Sequence, residues 1–276
     1  MKKQGIIIAV VSLIFIIVLF NLPRVVVEND GDQGVQGENK STNDPSANQD
    51  LVEQHLSTIS GEVQEQLNRN QERFNDAVEK DRLEYADSIA IIYLAINKYD
   101  SAAKYFDYIA EAKPSIDSYQ KAGDTYYDAF GFAMDKEKAI ELGDRARYFY
   151  NLILEEEPDR LDLQNKIAMT YISSANPMQG ITMLRTIIEK DPENEMAIFN
   201  LGLLAIQSGQ YEKAVERFEK LVSLHPQNLQ GQFYLGLSYF ESEDKNNAKR
   251  QFELVKSMES DPAVIATVDG YLKEIN

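Results

Sequence analysis

The chain has 276 residues, of which 43% are hydrophobic, enough for one ordinary folded domain with appended segments. Its formal net charge of −17 at pH 7 argues against nucleic-acid binding, since contacts with phosphates need clustered Lys and Arg side chains. The absence of cysteine excludes disulfides, thiolate metal sites and lipid attachment through cysteine.

Residues 1–24 are predicted to form a single transmembrane signal anchor. Between Gly5 and Leu22 only Ser12 and Asn21 are polar, and no residue is charged. A helix of this length spans about 27 Å, which matches the hydrocarbon core of a bilayer. The alternative is a cleaved signal peptide, but its apolar run is usually shorter and ends at a small-residue cleavage site, which the sequence does not offer here.

The charges that flank this segment predict its orientation. Lys2, Lys3 and the amino terminus precede the apolar run, whereas Arg24 follows it. Because the more positive flank stays in the cytoplasm, we expect the amino terminus there and the later residues across the membrane. In a bacterial inner membrane this topology places the rest of the chain in the periplasm.

Residues 25–50 are predicted to be an acidic, unfolded linker. From residue 28 to residue 50 the chain has six acidic residues, one lysine and no aromatic residue. Such a composition buries too little apolar surface to offset the entropy lost on folding. We therefore expect a spacer between the membrane and the next segment.

Residues 51–82 are predicted to be helical and to cap the domain that follows. An apolar stripe runs along this segment at Val52, Leu56, Ile59, Val63 and Leu67. A capping helix would cover the exposed apolar end of a repeat array. The alternative is a parallel coiled coil, which would make the protein a homodimer.

Two short amphipathic helices are predicted between residues 195 and 228, and their pattern recurs. Gly202 lies on the first helix, and Ala214 and Phe218 lie on the second. The same residue types return 34 residues later as Gly236, Ala248 and Phe252. The small residues allow the two helices to approach closely, and the phenylalanine fills the space between them. One such pair has too small a core to be stable alone, so pairs are expected to stack on one another.

This pattern resembles the tetratricopeptide repeat, a 34-residue unit of two helices. The resemblance covers units at about 83–115, 116–160, 161–194, 195–228 and 229–262, followed by a closing helix at 263–276. It implies an all-α fold, a right-handed superhelical solenoid of about five helix pairs with capping helices, preceded here by the transmembrane helix. Prolines end the units at 114, 158, 192 and 226, and Ser115, Asp159, Asn194 and Asn228 are predicted N-caps.

The second unit is longer than the others by about 11 residues, or roughly three helical turns. The apolar spacing of Ala139, Leu142, Ala146, Phe149 and Ile153 continues through the excess. It therefore predicts a lengthened second helix.

No catalytic, cofactor or metal constellation is evident in the sequence. The two histidines, His55 and His225, lie in different predicted elements and have no neighbouring cysteine or histidine. No phosphate-binding glycine loop or nucleophile elbow is present. We therefore expect a protein that is not an enzyme and that has no cofactor.

The resemblance implies that the first helices line a concave groove in which partners bind. In the fourth and fifth units the groove positions are largely apolar, and a partner peptide or amphipathic helix is the expected ligand. The alternative is that the closing helix or a second copy of the protein covers this patch, which is larger than a soluble monomer normally leaves exposed. The candidate residues are Met196, Phe199, Asn200, Leu203, Ile206, Phe233, Leu237 and Phe240.

Three functions fit these expectations. The first is a membrane-tethered scaffold or assembly factor that holds a protein partner near the bilayer. The second is a chaperone-like holder of translocated proteins near secretion machinery, and the third is a structural protein that associates with itself.

Overall fold

The computed structural model describes residues 60–275. The predicted transmembrane anchor at 5–22, the acidic linker and the first part of the predicted capping segment lie outside these residues. Within residues 60–275, every helix is too short or too polar to cross a membrane.

The described chain is all-helical and divides into two compact units, residues 60–129 and residues 130–275. This confirms the predicted all-α class, while the handedness and extent of the superhelix remain predictions. The helices of residues 60–275 are α1 (Gly61–Asp76), α2 (Glu79–Ala95), α3 (Tyr99–Ala112), α4 (Ile116–Phe132), α5 (Lys136–Glu156), α6 (Leu161–Ile172), α7 (Pro177–Lys190), α8 (Glu195–Gln207), α9 (Tyr211–Leu224), α10 (Leu229–Glu241), α11 (Lys245–Met258) and α12 (Pro262–Ile275).

In the unit of residues 60–129, α1 packs against α2 and α3 through a small apolar and aromatic face. Leu67 is buried, and the Phe74 ring meets the edges of Tyr105 and Tyr108 at centroid distances of 5.6 and 5.2 Å. The Ser60 side chain accepts a hydrogen bond from the Val63 N–H and so caps the start of α1. The apolar face of α1 is thus used within this unit.

In the unit of residues 130–275, α5 is the longest helix. It runs without interruption for 21 residues, whereas α7, α9 and α11 have 14 residues each. The predicted lengthened second helix is therefore present. Its first turn is capped by Asp135, whose carboxylate accepts a hydrogen bond of 2.8 Å from the Lys138 N–H.

A phenylalanine ring lies directly on a glycine in each of the two helix pairs that end the chain. An ideal Cβ atom placed on Gly202 would come within 2.7 Å of the Phe218 ring, and one placed on Gly236 within 2.9 Å of the Phe252 ring. Both rings are completely buried. The structure therefore confirms that these glycines allow the close approach and that the rings fill the space between the helices.

The turn between paired helices places one residue in the left-handed region of backbone conformation. Gly209, Glu243 and Asn97 have φ values of 68°, 64° and 58°. The next backbone N–H donates to a carbonyl five residues earlier, as in Gln210 to Ala205 at 2.8 Å. This hydrogen bond satisfies a carbonyl at the helix end and fixes the turn.

The predicted N-caps are present at three of the four sites. The side chains of Asn194, Asn228 and Ser115 accept hydrogen bonds from backbone N–H groups three residues later. Asp159 is not an N-cap: α6 begins at Leu161 with Arg160 in the capping position. The guanidinium of Arg160 instead pairs with the carboxylates that flank it, so this helix start is held by charge pairs and not by a cap.

Gly202→Ala is expected to destabilise the protein. The added methyl group would force the Phe218 ring out of its position, at a cost of about 1–3 kcal/mol. The matched control is Gly270→Ala in α12, where a Cβ meets nothing within 4 Å. That change should stabilise the helix by roughly 0.5–1 kcal/mol, because alanine has the higher helix propensity. Urea unfolding followed by circular dichroism measures both, and equal effects would contradict the close-packing argument.

Glu243→Gly is expected to stabilise the protein by about 0.5–1 kcal/mol. A side chain at positive φ is strained, and glycine removes that strain at some entropic cost. Glu253→Gly, which removes the same charge from an exposed position inside α11, should instead destabilise by about 1 kcal/mol. The midpoints of thermal unfolding of the two variants should therefore move in opposite directions.

Candidate functional site

The eight candidate residues lie on the same faces of α8 and α10, and we refer to them together as the first-helix groove. Their spacing of three or four residues along each helix puts them on one face. The groove consists of Met196, Phe199, Asn200, Leu203 and Ile206 on α8, and Phe233, Leu237 and Phe240 on α10.

The first-helix groove is partly covered, a possibility that the sequence left open alongside partner binding. Only Met196 is exposed, at 42% of its maximal surface, and Leu203 is buried at 6%. The other six residues are half-buried. The reason is that neighbouring aromatic side chains, which the helical spacing alone does not reveal, cover much of the patch.

An aromatic network links the groove to the interior of the helix pairs. The Phe199 ring meets Phe218 and Tyr234 edge-on, at centroid distances of 5.8 and 5.6 Å. Phe218 and Tyr234 are themselves stacked at 5.7 Å. Because these rings hold one another in place, the α8 half of the groove is a rigid apolar surface.

The closing helix α12 covers the α10 half of the groove. Tyr271 stacks on Phe252 with a centroid distance of 5.0 Å and an interplanar angle of 8°. The same ring meets the edges of Phe240 at 5.3 Å and Phe233 at 6.2 Å. Of the two covers considered from the sequence, the closing helix therefore occupies this half.

An ion pair fixes α12 against the last helix pair. The Lys256 ammonium lies 2.6 Å from the Asp269 carboxylate. The pair is partly exposed, so it orients α12 more than it stabilises the fold. Val268 completes the contact as a fully buried member of the apolar cluster around Phe252.

The groove presents neutral aromatic groups at physiological pH. Burial raises the pKa of the Tyr234 hydroxyl above its usual range. Burial also raises the pKa of Tyr271, and the carboxylates of Glu241 and Glu274 raise it further. These tyrosines therefore add no charge to the groove.

Residues 60–275 contain no cluster of three or more His, Asp or Glu side chains that could hold a metal ion. His225 lies beside Glu195, with 3.6 Å between Nδ1 and the carboxylate, but this pair belongs to the turn before α10.

Sequence reasoning missed Tyr271 as a groove residue. In the repeat register, Tyr271 occupies the position of Leu203 and Leu237, each separated from the next by 34 residues. Extending the register into the closing helix would have found it. The burial of Tyr234 beneath Phe199 depends on the packing of α9.

Residues 196–228 match the family model of the tetratricopeptide repeat. The chain thus contains this helix pair at α8 and α9, where the glycine–phenylalanine contact was found. No curated protein sequence matches the chain.

Three solved structures illustrate the similarity of fold. A tetratricopeptide repeat protein from Parabacteroides merdae has a TM-score of 0.56 and 16% identity, covering 83% of this chain and 86% of its own. The MamA protein has a TM-score of 0.46 and 19% identity, covering 64% and 91%. YrrB, described as a repeat protein with an unusual peptide-binding site, has a TM-score of 0.44 and 16% identity, covering 71% and 97%.

Tyr271→Ala is expected to destabilise the protein by about 2–4 kcal/mol, because its ring contacts three others. It should also increase the fluorescence of an apolar dye such as anilinonaphthalene sulfonate, since the α10 half of the groove would become exposed. Lys273→Ala, on the exposed surface of the same helix, is the control and should change neither property. Equal dye binding by the two variants would contradict the covering role of α12.

Proposed function

We propose that this protein is a membrane-tethered scaffold that binds a partner peptide or helix on the α8 half of the first-helix groove. The observation that supports it is the arrangement of Met196, Phe199 and Ile206. These side chains retain accessible apolar surface along one helix face, while α12 covers the α10 half.

The rigidity of this surface favours binding. A partner loses less free energy when the receiving side chains are already ordered, and the network around Phe199 orders them. An amphipathic helix would place apolar side chains of i, i+3 and i+4 spacing against Met196 and Ile206. Asn200, half-buried beside them, supplies one polar contact for orientation.

The membrane anchor in this proposal is inferred from the amino-acid sequence. The uncharged run from Gly5 to Leu22 would anchor the chain in a bacterial inner membrane, with the helical repeats in the periplasm. The acidic linker would separate the repeats from the bilayer. A binding role, without catalysis or a cofactor, agrees with the apolar chemistry of the groove.

Met196→Glu tests the binding surface with little effect on the fold, because this side chain is exposed. Partner binding would bury the introduced carboxylate, so the mutation should weaken partner association by about tenfold or more. Alanine at Phe199 or Phe233 is a poorer test, since both rings support the core. The measurement is proximity labelling with the full chain in native membranes.

Met178→Glu is the matched control, since Met178 is an exposed methionine on α7 outside the groove. The proposal expects the specific labelled partners to be lost in Met196→Glu and kept in Met178→Glu. Identical labelling by the two variants would refute groove binding. Labelling of many unfolded clients would favour the chaperone-like holder, and labelling of the protein alone would favour self-association. Protease accessibility in membrane vesicles of known orientation tests the sidedness.

A further inference from the structure

Three second helices, α7, α9 and α11, together contain nine Lys and Arg residues against five Glu, whereas the chain has a net charge of −17. Three of these four excess positive charges lie on α11, and α7 and α9 together have five Lys and Arg residues against four Glu. The attraction of α7 and α9 for anionic groups therefore depends on where individual side chains come together, and not on the charge of whole helices.

A cleft of about 200 Å³ lies among α7, α8 and α9. It is formed by one residue of α7, one of α8 and three of α9, and we call it the α7–α9 cleft. Its lining residues are Ile188, Ile198, Glu216, Arg217 and Lys220. The two isoleucines give it an apolar floor, and Ile198 is 2% exposed. The cleft shares none of the eight residues of the first-helix groove.

Arg217 lines the cleft, and Arg185 on α7 lies close enough to interact with it electrostatically. Among residues 60–275, neither Arg185 nor Arg217 forms a salt bridge or side-chain hydrogen bond. Burial lowers the pKa of the Arg217 guanidinium, the adjacent Glu216 opposes this effect, and the like charge of Arg185 lowers the pKa further. An anion between these arginines would relieve their repulsion.

The third cation of the cleft is already held in place. The Lys220 ammonium donates a hydrogen bond of 2.6 Å to the Pro192 carbonyl in the turn before α8. It retains two further N–H donors for a ligand. The half-buried Arg217 and the fixed Lys220 thus form two rigid positive points one helical turn apart on α9.

We propose that the α7–α9 cleft is a docking site for an acidic peptide segment of a partner protein. An aliphatic side chain of the segment would contact Ile188 and Ile198, and its carboxylates would pair with Arg185, Arg217 and Lys220. The charge complementarity selects this occupant. An apolar segment would leave the guanidiniums unpaired, and a basic segment would be repelled by them.

A carboxylate binds an arginine through two parallel hydrogen bonds, and this geometry explains why the half-buried Arg217 guanidinium matters more than an exposed lysine. Glu216 at the edge of the cleft limits the number of carboxylates that fit, so the segment should combine a few acidic residues with one aliphatic residue. Because the contacts are ionic, binding should weaken as salt concentration rises.

The test uses the full chain in detergent micelles and a fluorescein-labelled peptide of sequence Gly-Ser-Leu-Glu-Glu-Glu-Ser-Gly. Fluorescence anisotropy is expected to show saturable binding that Arg217→Gln weakens by about tenfold. Arg185→Gln should weaken it as well. Since Arg185 is exposed, this second variant keeps the test valid if Arg217→Gln proves unstable.

Lys213→Gln is the matched control, because it removes a positive charge from α9 outside the cleft. It should leave the dissociation constant unchanged within about twofold, and circular dichroism should show the same helicity for all variants. A peptide with glutamine in place of each glutamate should not bind. The proposal is overturned if the two peptides bind equally, if Lys213→Gln weakens binding as much as Arg217→Gln, or if neither peptide binds.

Discussion

The structure of residues 130–275 depends on a close contact between a phenylalanine ring and a helix backbone. Phe218 lies on Gly202 and Phe252 lies on Gly236, with no room for a methyl group between them. The Phe218 ring is also stacked on Tyr234 of the next pair, at a centroid distance of 5.7 Å. One ring thus closes its own helix pair and joins that pair to its neighbour. The short helices, which are marginal alone, gain their stability from such shared packing.

The same packing determines the character of the first-helix groove. Phe199 is both a groove residue and a wall of the core, so the surface offered to a partner is ordered before binding. The closing helix α12 then covers half of this surface by placing Tyr271 where the preceding first helices have Leu203 and Leu237. In this way the chain covers its terminal apolar face and leaves the α8 half accessible.

Much of the local structure was predictable because it depends on residues that are close in sequence. The recurrence of Gly202, Ala214 and Phe218 identified the helix pair, and Asn194 and Asn228 were recognised as caps. The prediction for Asp159 was wrong because the choice between neighbouring capping residues depends on the path of the chain after a proline. The sequence left open whether the groove is covered, because the face of a single helix does not show the side chains packed on it.

The sequence by itself determined the all-helical class, the pairing of helices and the face of each helix that the groove residues share. These features follow from helical periodicity and from the requirements of capping and close approach, which act over a few residues. Only the tertiary structure decided which groove side chains remain accessible, and that Arg217 and Lys220 line one cleft with Ile188 and Ile198. Exposure and the grouping of charges depend on residues from different helices, and the spacing within one helix does not specify which of them come together.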